Sequence, residues 1–97
     1  MKTNATEKKN AVIEFTAAWC PPCRQIAPVV DDLASKHTQV SFVKLDIDNK
    51  SLLEIVASFS VSAVPTFVSM VGDKQITTFS GADRAQLTRM VQELSGS

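Results

Sequence analysis

The apolar positions along this chain change period several times. Ala11-Val-Ile-Glu-Phe-Thr16 is a nearly continuous apolar run rich in β-formers, broken only by Glu14, and predicts a strand covered on both faces. From Pro21 the period lengthens. Ile26, Val29, Val30 and Leu33 fall at i, i+3, i+4 and i+7, one face of a helix. Pro21 and Pro22 suit its first turn, where amide hydrogens have no intrahelical partner, and Pro28 inside the periodic stretch predicts a kink. Val40 to Ile47 alternates, with Val43, Leu45 and Ile47 set against Lys44, Asp46 and Asp48, and predicts a second strand. Leu52, Ile55, Val56 and Phe59 return to helical spacing. Val61 to Pro65 reads as a loop, Thr66 to Val71 as a strand, Gly72 to Lys74 as a turn and Gln75 to Phe79 as a strand completing a hairpin. Leu87, Met90, Val91 and Leu94 define a last helix, with Asp83 as N-cap and Gln86 in the capping-box position.

The predicted order is β-α-β-α-β-β-α. Strand, helix, strand favours a parallel crossover, and the hairpin adds antiparallel pairing. The fold class is therefore α/β, a mixed four-stranded sheet flanked by helices on both faces. At 97 residues the chain is one domain, with residues 1–10 a polar segment forming a frayed end or a short helix.

Composition narrows the function classes. A formal net charge of zero removes the cationic excess that nucleic acid or an anionic membrane surface needs. No apolar run approaches the roughly 18 residues of a membrane-spanning helix. The opening MKTNATEKKN has no apolar segment of the secretory kind, so the expected compartment is the reducing cytosol.

Both cysteines of the chain lie in one stretch, FTAAWCPPCRQIAP, as Cys20 and Cys23. Two cysteines are too few for a disulfide scaffold. The strand ends near Thr16 and the helix begins near Pro21, so Cys20 falls at the carboxyl end of a central strand and at a helix N-terminus. Unpaired amide groups and the helix dipole favour an anion there, and a thiolate is the reactive form of cysteine. Cys23, one turn further in, is expected to be more shielded, and the spacing lets the two sulfurs close a small disulfide ring. The alternatives are two buried apolar residues, or a metal or cluster shared between chains. A zinc site within one chain lacks ligands, because only His37 is added to the two cysteines, at the far end of the helix.

VIEFTAAWCPPCRQIAPVVDDLA resembles the core of thioredoxins, whose usual active site is Trp-Cys-Gly-Pro-Cys, and AVPTF (63–67) resembles their cis-proline loop. KLDID (44–48) and FSGADRAQL (79–87) are similar to further thioredoxin segments in the same order, so that the likeness spans about residues 11–95. The resemblance implies a thioredoxin-like fold and a dithiol–disulfide oxidoreductase that reduces protein disulfides, carries electrons on its own thiols without a bound cofactor or metal, and is recharged by a disulfide reductase or another dithiol donor. By the same resemblance Cys20 is the nucleophile and Cys23 the resolving thiol. Trp19 shapes the docking surface, Val64 offers backbone hydrogen bonds to an extended target segment, and Pro65 is cis. Glu14 stands where thioredoxins carry a buried Asp. A carboxylate in an apolar central strand should have a raised pKa and could exchange a proton with Cys23, unless it points to solvent at the strand's edge. Lys44 matches the lysine that neighbours this acid. Arg24 either stabilises a thiolate or is simply solvated, and Pro22 is the family's own proline. Other readings of the same fold are a binding module and an oxidant or isomerase of protein disulfides.

Three departures from the family pattern carry expectations. Thioredoxins place a further strand and helix ahead of the strand that here begins at Ala11, and ten polar residues cannot supply both. The strand at 40–47 should then border the sheet, and its open edge should either self-associate or be covered by residues 1–10. Pro21 replaces Gly, which stiffens the loop between the sulfurs and removes one N–H donor from the helix start. Glu14 is one methylene longer than Asp.

Overall fold

A computed structural model describes residues 10–96. Its strands are β1 (Asn10–Thr16), β2 (Ser41–Asp46), β3 (Thr66–Val71) and β4 (Lys74–Ser80). Its helices are α1 (Pro21–Lys36), α2 (Leu53–Ser58, entered through a 3-10 turn Lys50–Leu52) and α3 (Arg84–Ser95). The sheet order is β2-β1-β3-β4. β1 pairs parallel with β2 and antiparallel with β3, and β3 pairs antiparallel with β4. The predicted element order and mixed sheet are met, and β2 is an edge strand among the described residues. The expectation for residues 1–10 lies outside the described residues except for Asn10, which opens β1 and whose side-chain amide donates to the Leu94 carbonyl at 2.7 Å.

Alternation along β1 divides the molecule. Val12 points to the face covered by α1 and α3 and joins Ile26, Val30, Phe67, Leu87 and Val91 in the main core. Phe79 packs on this core and stacks on Phe67 with ring centroids 5.1 Å apart. Phe15 points to the opposite face and meets Phe59, which follows α2, at 5.4 Å. Helices thus lie on both faces, as expected.

One local expectation needs correction. The helical spacing of Leu52, Ile55, Val56 and Phe59 suggested an amphipathic helix, but α2 is only six residues long and buries none of its side chains fully. Leu53 and Ile55 are exposed. Periodicity reports which residues share a face, and the tertiary structure decides whether that face meets anything. α1 runs through Pro28, whose ring is exposed to solvent. The helix ends at its C-cap His37, whose N–H donates to the Leu33 carbonyl at 2.9 Å and whose Nδ1 lies 2.9 Å from Ser95 Oγ.

Core burial should govern stability. Leu87 is completely buried, so Leu87→Ala should cost about 2–5 kcal/mol in urea unfolding. Ile76 is exposed in β4, at the register shift opposite Ser69 and Met70, so Ile76→Ala should change stability by no more than about 0.5 kcal/mol.

Candidate active site

The site is built where β1 gives way to α1. After Thr16 the chain turns, with the Cys20 N–H donating to the Ala17 carbonyl at 3.2 Å. Cys20 then adopts an extended backbone, φ −96° and ψ 108°. A residue ahead of a proline is pushed into this region, which is also the conformation a helix N-cap requires. Pro21 and Pro22 occupy the first two helical positions and have no N–H groups to satisfy. The first available amide, that of Cys23, donates to the Cys20 sulfur at 3.2 Å, and the Arg24 N–H donates to the Cys20 carbonyl at 3.2 Å. Cys20 and Cys23 form a disulfide with their Cα atoms 5.3 Å apart, within the range such a bond accepts.

The sulfurs sit in a small apolar cluster with Ala17, flanked by Ile47 and Val64. Cys23 was expected to be the more shielded, yet Cys20 is 2% and Cys23 4% exposed. The covering group is the loop before β3. The Val64 carbonyl oxygen lies 3.6 Å from Cys20 Sγ, and the Val64–Pro65 bond is cis. This loop is pinned from three sides. The Pro65 carbonyl accepts from the Gly81 N–H at 2.8 Å, Thr66 Oγ1 donates to the Ala63 carbonyl at 2.6 Å, and the same hydroxyl shares a hydrogen bond with Ser80 Oγ at 2.8 Å. Trp19, 62% exposed, donates its indole N–H to Asp48 Oδ2 at 2.7 Å. Arg24 Nη1 donates to the Ala18 carbonyl at 2.8 Å, so its guanidinium braces the turn leading into Cys20.

Glu14 points into the protein. It is 4% exposed, on the face of β1 covered by α1, and stands opposite Lys44 in the parallel register of β1 and β2. An open groove of about 390 Å³ is lined by Glu14, Cys23, Arg24, Lys44 and Asp46 together with small residues between them. Glu14 Oε1 is buried without a hydrogen-bond partner among the described residues. Burial therefore pushes its carboxyl above the ordinary value of 4.5, Lys44 draws it partly back, and Asp31 adds a push in the raising direction. The reading of Glu14 as a solvent-facing edge residue is excluded.

The structure thus packs Cys20 and Cys23 with Val64 of the Val64–Pro65 loop, sets Pro21 and Pro22 in the first turn of α1 and Trp19 against Asp48, and gathers Glu14, Lys44 and Arg24 around the groove that reaches Cys23. Asp48, Ser80 and Gly81 were missed as supporting residues. Each lies inside a segment whose likeness to thioredoxins was visible, but a hydrogen bond spanning 29 residues, as from Trp19 to Asp48, leaves no trace in local spacing. His37 is remote from the cysteines, at the other end of α1.

Comparison with known proteins adds an independent line. The thioredoxin family model matches residues 2–93. Thioredoxin H3 of Arabidopsis thaliana is 45% identical over 87 residues, covering 90% of this chain and 72% of that protein. Thioredoxin H-type 1 of Brassica napus is 42% identical over the same length, covering 90% of this chain and 69% of its own. Among solved structures, Fasciola hepatica thioredoxin superposes with a TM-score of 0.84 at 39% identity, covering 93% of this chain and 85% of that one. The germline-specific thioredoxin Deadhead of Drosophila melanogaster gives a TM-score of 0.86 at 33% identity with the same coverage. A cysteine pair closed across a helix N-terminus, on a sheet shared with these proteins, makes the chain a member of the thioredoxin family, a dithiol–disulfide oxidoreductase that reduces protein disulfides.

Proposed function

We propose that Cys20 is the attacking thiol, Cys23 the resolving thiol and Glu14 the group that exchanges a proton with Cys23. The carrying observation is the hydrogen bond from the Cys23 N–H to Cys20 Sγ. It singles out Cys20 as the sulfur at the positive end of α1, where a thiolate is stabilised. In the reduced protein the Cys20 thiolate attacks one sulfur of a target disulfide. A mixed disulfide forms and one target thiolate leaves. Cys23, deprotonated, then attacks Cys20 Sγ, closes the Cys20–Cys23 bond and expels the second target thiolate. Two electrons and two protons pass to the target. A disulfide reductase or another dithiol donor returns them, which makes the chain a link in electron transport and fits a reducing, cytoplasmic location.

Target recognition is assigned to Trp19, Val64 and Pro65. The Val64 backbone borders the Cys20 sulfur, so an extended target segment pairing there by short β-augmentation would bring its own disulfide to the nucleophile. Glu14 shares a groove with Cys23, and burial raises its pKa, which suits a group that takes up a proton and gives it back. Lys44 and Arg24 tune the charge of that groove.

Pro21 bears on the direction of transfer. Strong oxidants of this kind stabilise their reduced form. Here the first two helical residues offer no N–H, and one amide serves the Cys20 sulfur. The reduction potential should therefore lie nearer the thioredoxin value of about −270 mV than the strongly oxidising value of about −120 mV. Equilibration with glutathione or dithiothreitol buffers measures it, and a value at the oxidising end would replace the reductase reading by an oxidant.

Insulin-disulfide reduction with dithiothreitol as electron source tests the roles of the cysteines. Cys20→Ser should fall to the uncatalysed background. Cys23→Ser should instead accumulate a mixed disulfide with the target, visible by non-reducing mass spectrometry. Trapping through Cys23 in the Cys20→Ser variant would reverse the assignment.

Glu14 makes a separate prediction about stability. Its folded-state pKa is raised, so between pH 4.5 and that value the native state holds a proton the unfolded state has lost. Stability then falls as pH rises through this window and stays reduced above it. Glu14→Gln removes the charged form. The variant should be more stable than the parent at pH 7.5 in urea unfolding, and its advantage should shrink toward zero below pH 4.5. An advantage equal at both pH values would show that burial of the charge is not its cause.

A further inference from the structure

We propose that two copies of this chain associate through the outer edge of β2, with the strands antiparallel and Lys44 of each copy opposite Asp46 of the other. Among the described residues β2 pairs only with β1. Its outward backbone groups can be identified. The Ile47 N–H donates to the Thr16 carbonyl at 2.9 Å, so Ile47 faces β1. Backbone direction alternates along a strand, so Val43 and Leu45 also face β1, and Phe42, Lys44 and Asp46 direct their N–H and C=O groups away from it. A row of this kind is a template for another strand.

The two sheet edges differ. The β3–β4 pairing carries a register shift at Ser69 and Met70, an irregularity of the type that twists an edge away from partners. β2 follows β1 without a shift from Ser41 to Asp46.

Charge selects the register. A two-fold axis through Lys44 would set Lys44 against itself, and like charges directly opposite are destabilising. An axis through Val43 would set Lys44 against Phe42. An axis through Leu45 sets Lys44 against Asp46 twice, with both residues outward-bonding; the Asp46 carbonyl already accepts the Asn49 N–H at 3.0 Å, so charge, together with the Asp46 N–H donating to the Lys44 carbonyl, carries each pair. The Asp46 carboxylate is already oriented, because Oδ1 accepts the Asp48 N–H at 2.9 Å, and Oδ2 remains for a cation. On the other face of the strand Leu45 meets its own copy at the axis and Val43, 42% exposed, stands opposite Ile47. The segment 1–9, MKTNATEKK, has Met1 as its only large apolar residue and offers little to this apolar strip. The overlap is short, so the complex should be weak.

Lys44 and Asp46 also line the groove that reaches Glu14 and Cys23, whereas the Val64–Pro65 loop lies beyond β1 at the head of β3. Association would therefore border the groove and, through Ile47, approach the residues beside the cysteines, while the Val64–Pro65 loop stays clear of the contact.

Sedimentation equilibrium of the full 97-residue chain tests this. The mass should rise with concentration from 10.5 kDa toward twice that value. Lys44→Glu and Val43→Lys should each raise the concentration of half-association by about tenfold or more, since each places repulsive or buried charge at the contact. The exchanged pair Lys44→Glu with Asp46→Lys should restore association. Amide hydrogen exchange on the unmodified protein gives a readout that needs no variant: protection at Lys44 and Asp46 should increase with concentration while β4 stays unchanged. A mass fixed at 10.5 kDa up to millimolar concentration overturns the proposal. So does association indifferent to both single variants, a charge exchange that fails to restore it, or concentration-independent protection at β2.

Discussion

The hydrogen bond from the Cys23 amide to the Cys20 sulfur is the contact on which the working parts of this protein depend. It makes a cysteine the cap of a 16-residue helix, so one sulfur of the disulfide is also the group that satisfies the helix end. The two prolines are consistent with this arrangement. They hold the first turn in helical geometry, force Cys20 into the extended conformation of a cap, and bring no amide hydrogens of their own. The geometry that starts the helix and the geometry that closes the disulfide are therefore the same geometry.

Around that contact the fold supplies two different environments. On one side, the loop before β3 lays the Val64 carbonyl beside Cys20 and is held by Gly81, Thr66 and Ser80, residues from both strands of the hairpin. This side presents backbone to the Cys20 sulfur. On the other, β1 carries Glu14 into the space beneath α1, where an unpaired buried oxygen keeps the carboxyl inclined to hold its proton. Burial of such a group lowers stability as pH rises above the ordinary carboxylate range, and it is the residue for which proton exchange with Cys23 is proposed. The central position of β1 matters to both sides, because the strand ends at the disulfide and its alternation places Glu14 on the helix-covered face.

Much of this was legible in the chain. The alternation in β2, the helical stripe of α1 and the capping residue Asp83, whose Oδ1 accepts the Gln86 N–H at 3.0 Å, are local signals, and they appear in the structure close to where the pattern places them. Glu14 announced itself by interrupting an apolar run. α2 did not follow the same logic. Its spacing is helical, yet Leu53 and Ile55 remain exposed, because a stripe of apolar residues records a preference for burial and not the presence of a neighbour. The relative shielding of the two cysteines was likewise misjudged, since position along a helix says nothing about a loop arriving from 40 residues away.

What the sequence determined by itself is the set of elements, the placing of the cysteine pair at a helix start and the one acid in the central strand. These follow from periodicity, from the restriction a proline imposes on its neighbours and from the rarity of charge in an apolar run, all properties of residues near one another in the chain. Only the tertiary structure decided that Val64 covers Cys20, that Asp48 holds Trp19, that Lys44 stands opposite Glu14 and that β2 lies at an edge of the described sheet. Each of these joins segments far apart in sequence. Their meeting depends on strand order and register, which are set by packing the whole core at once.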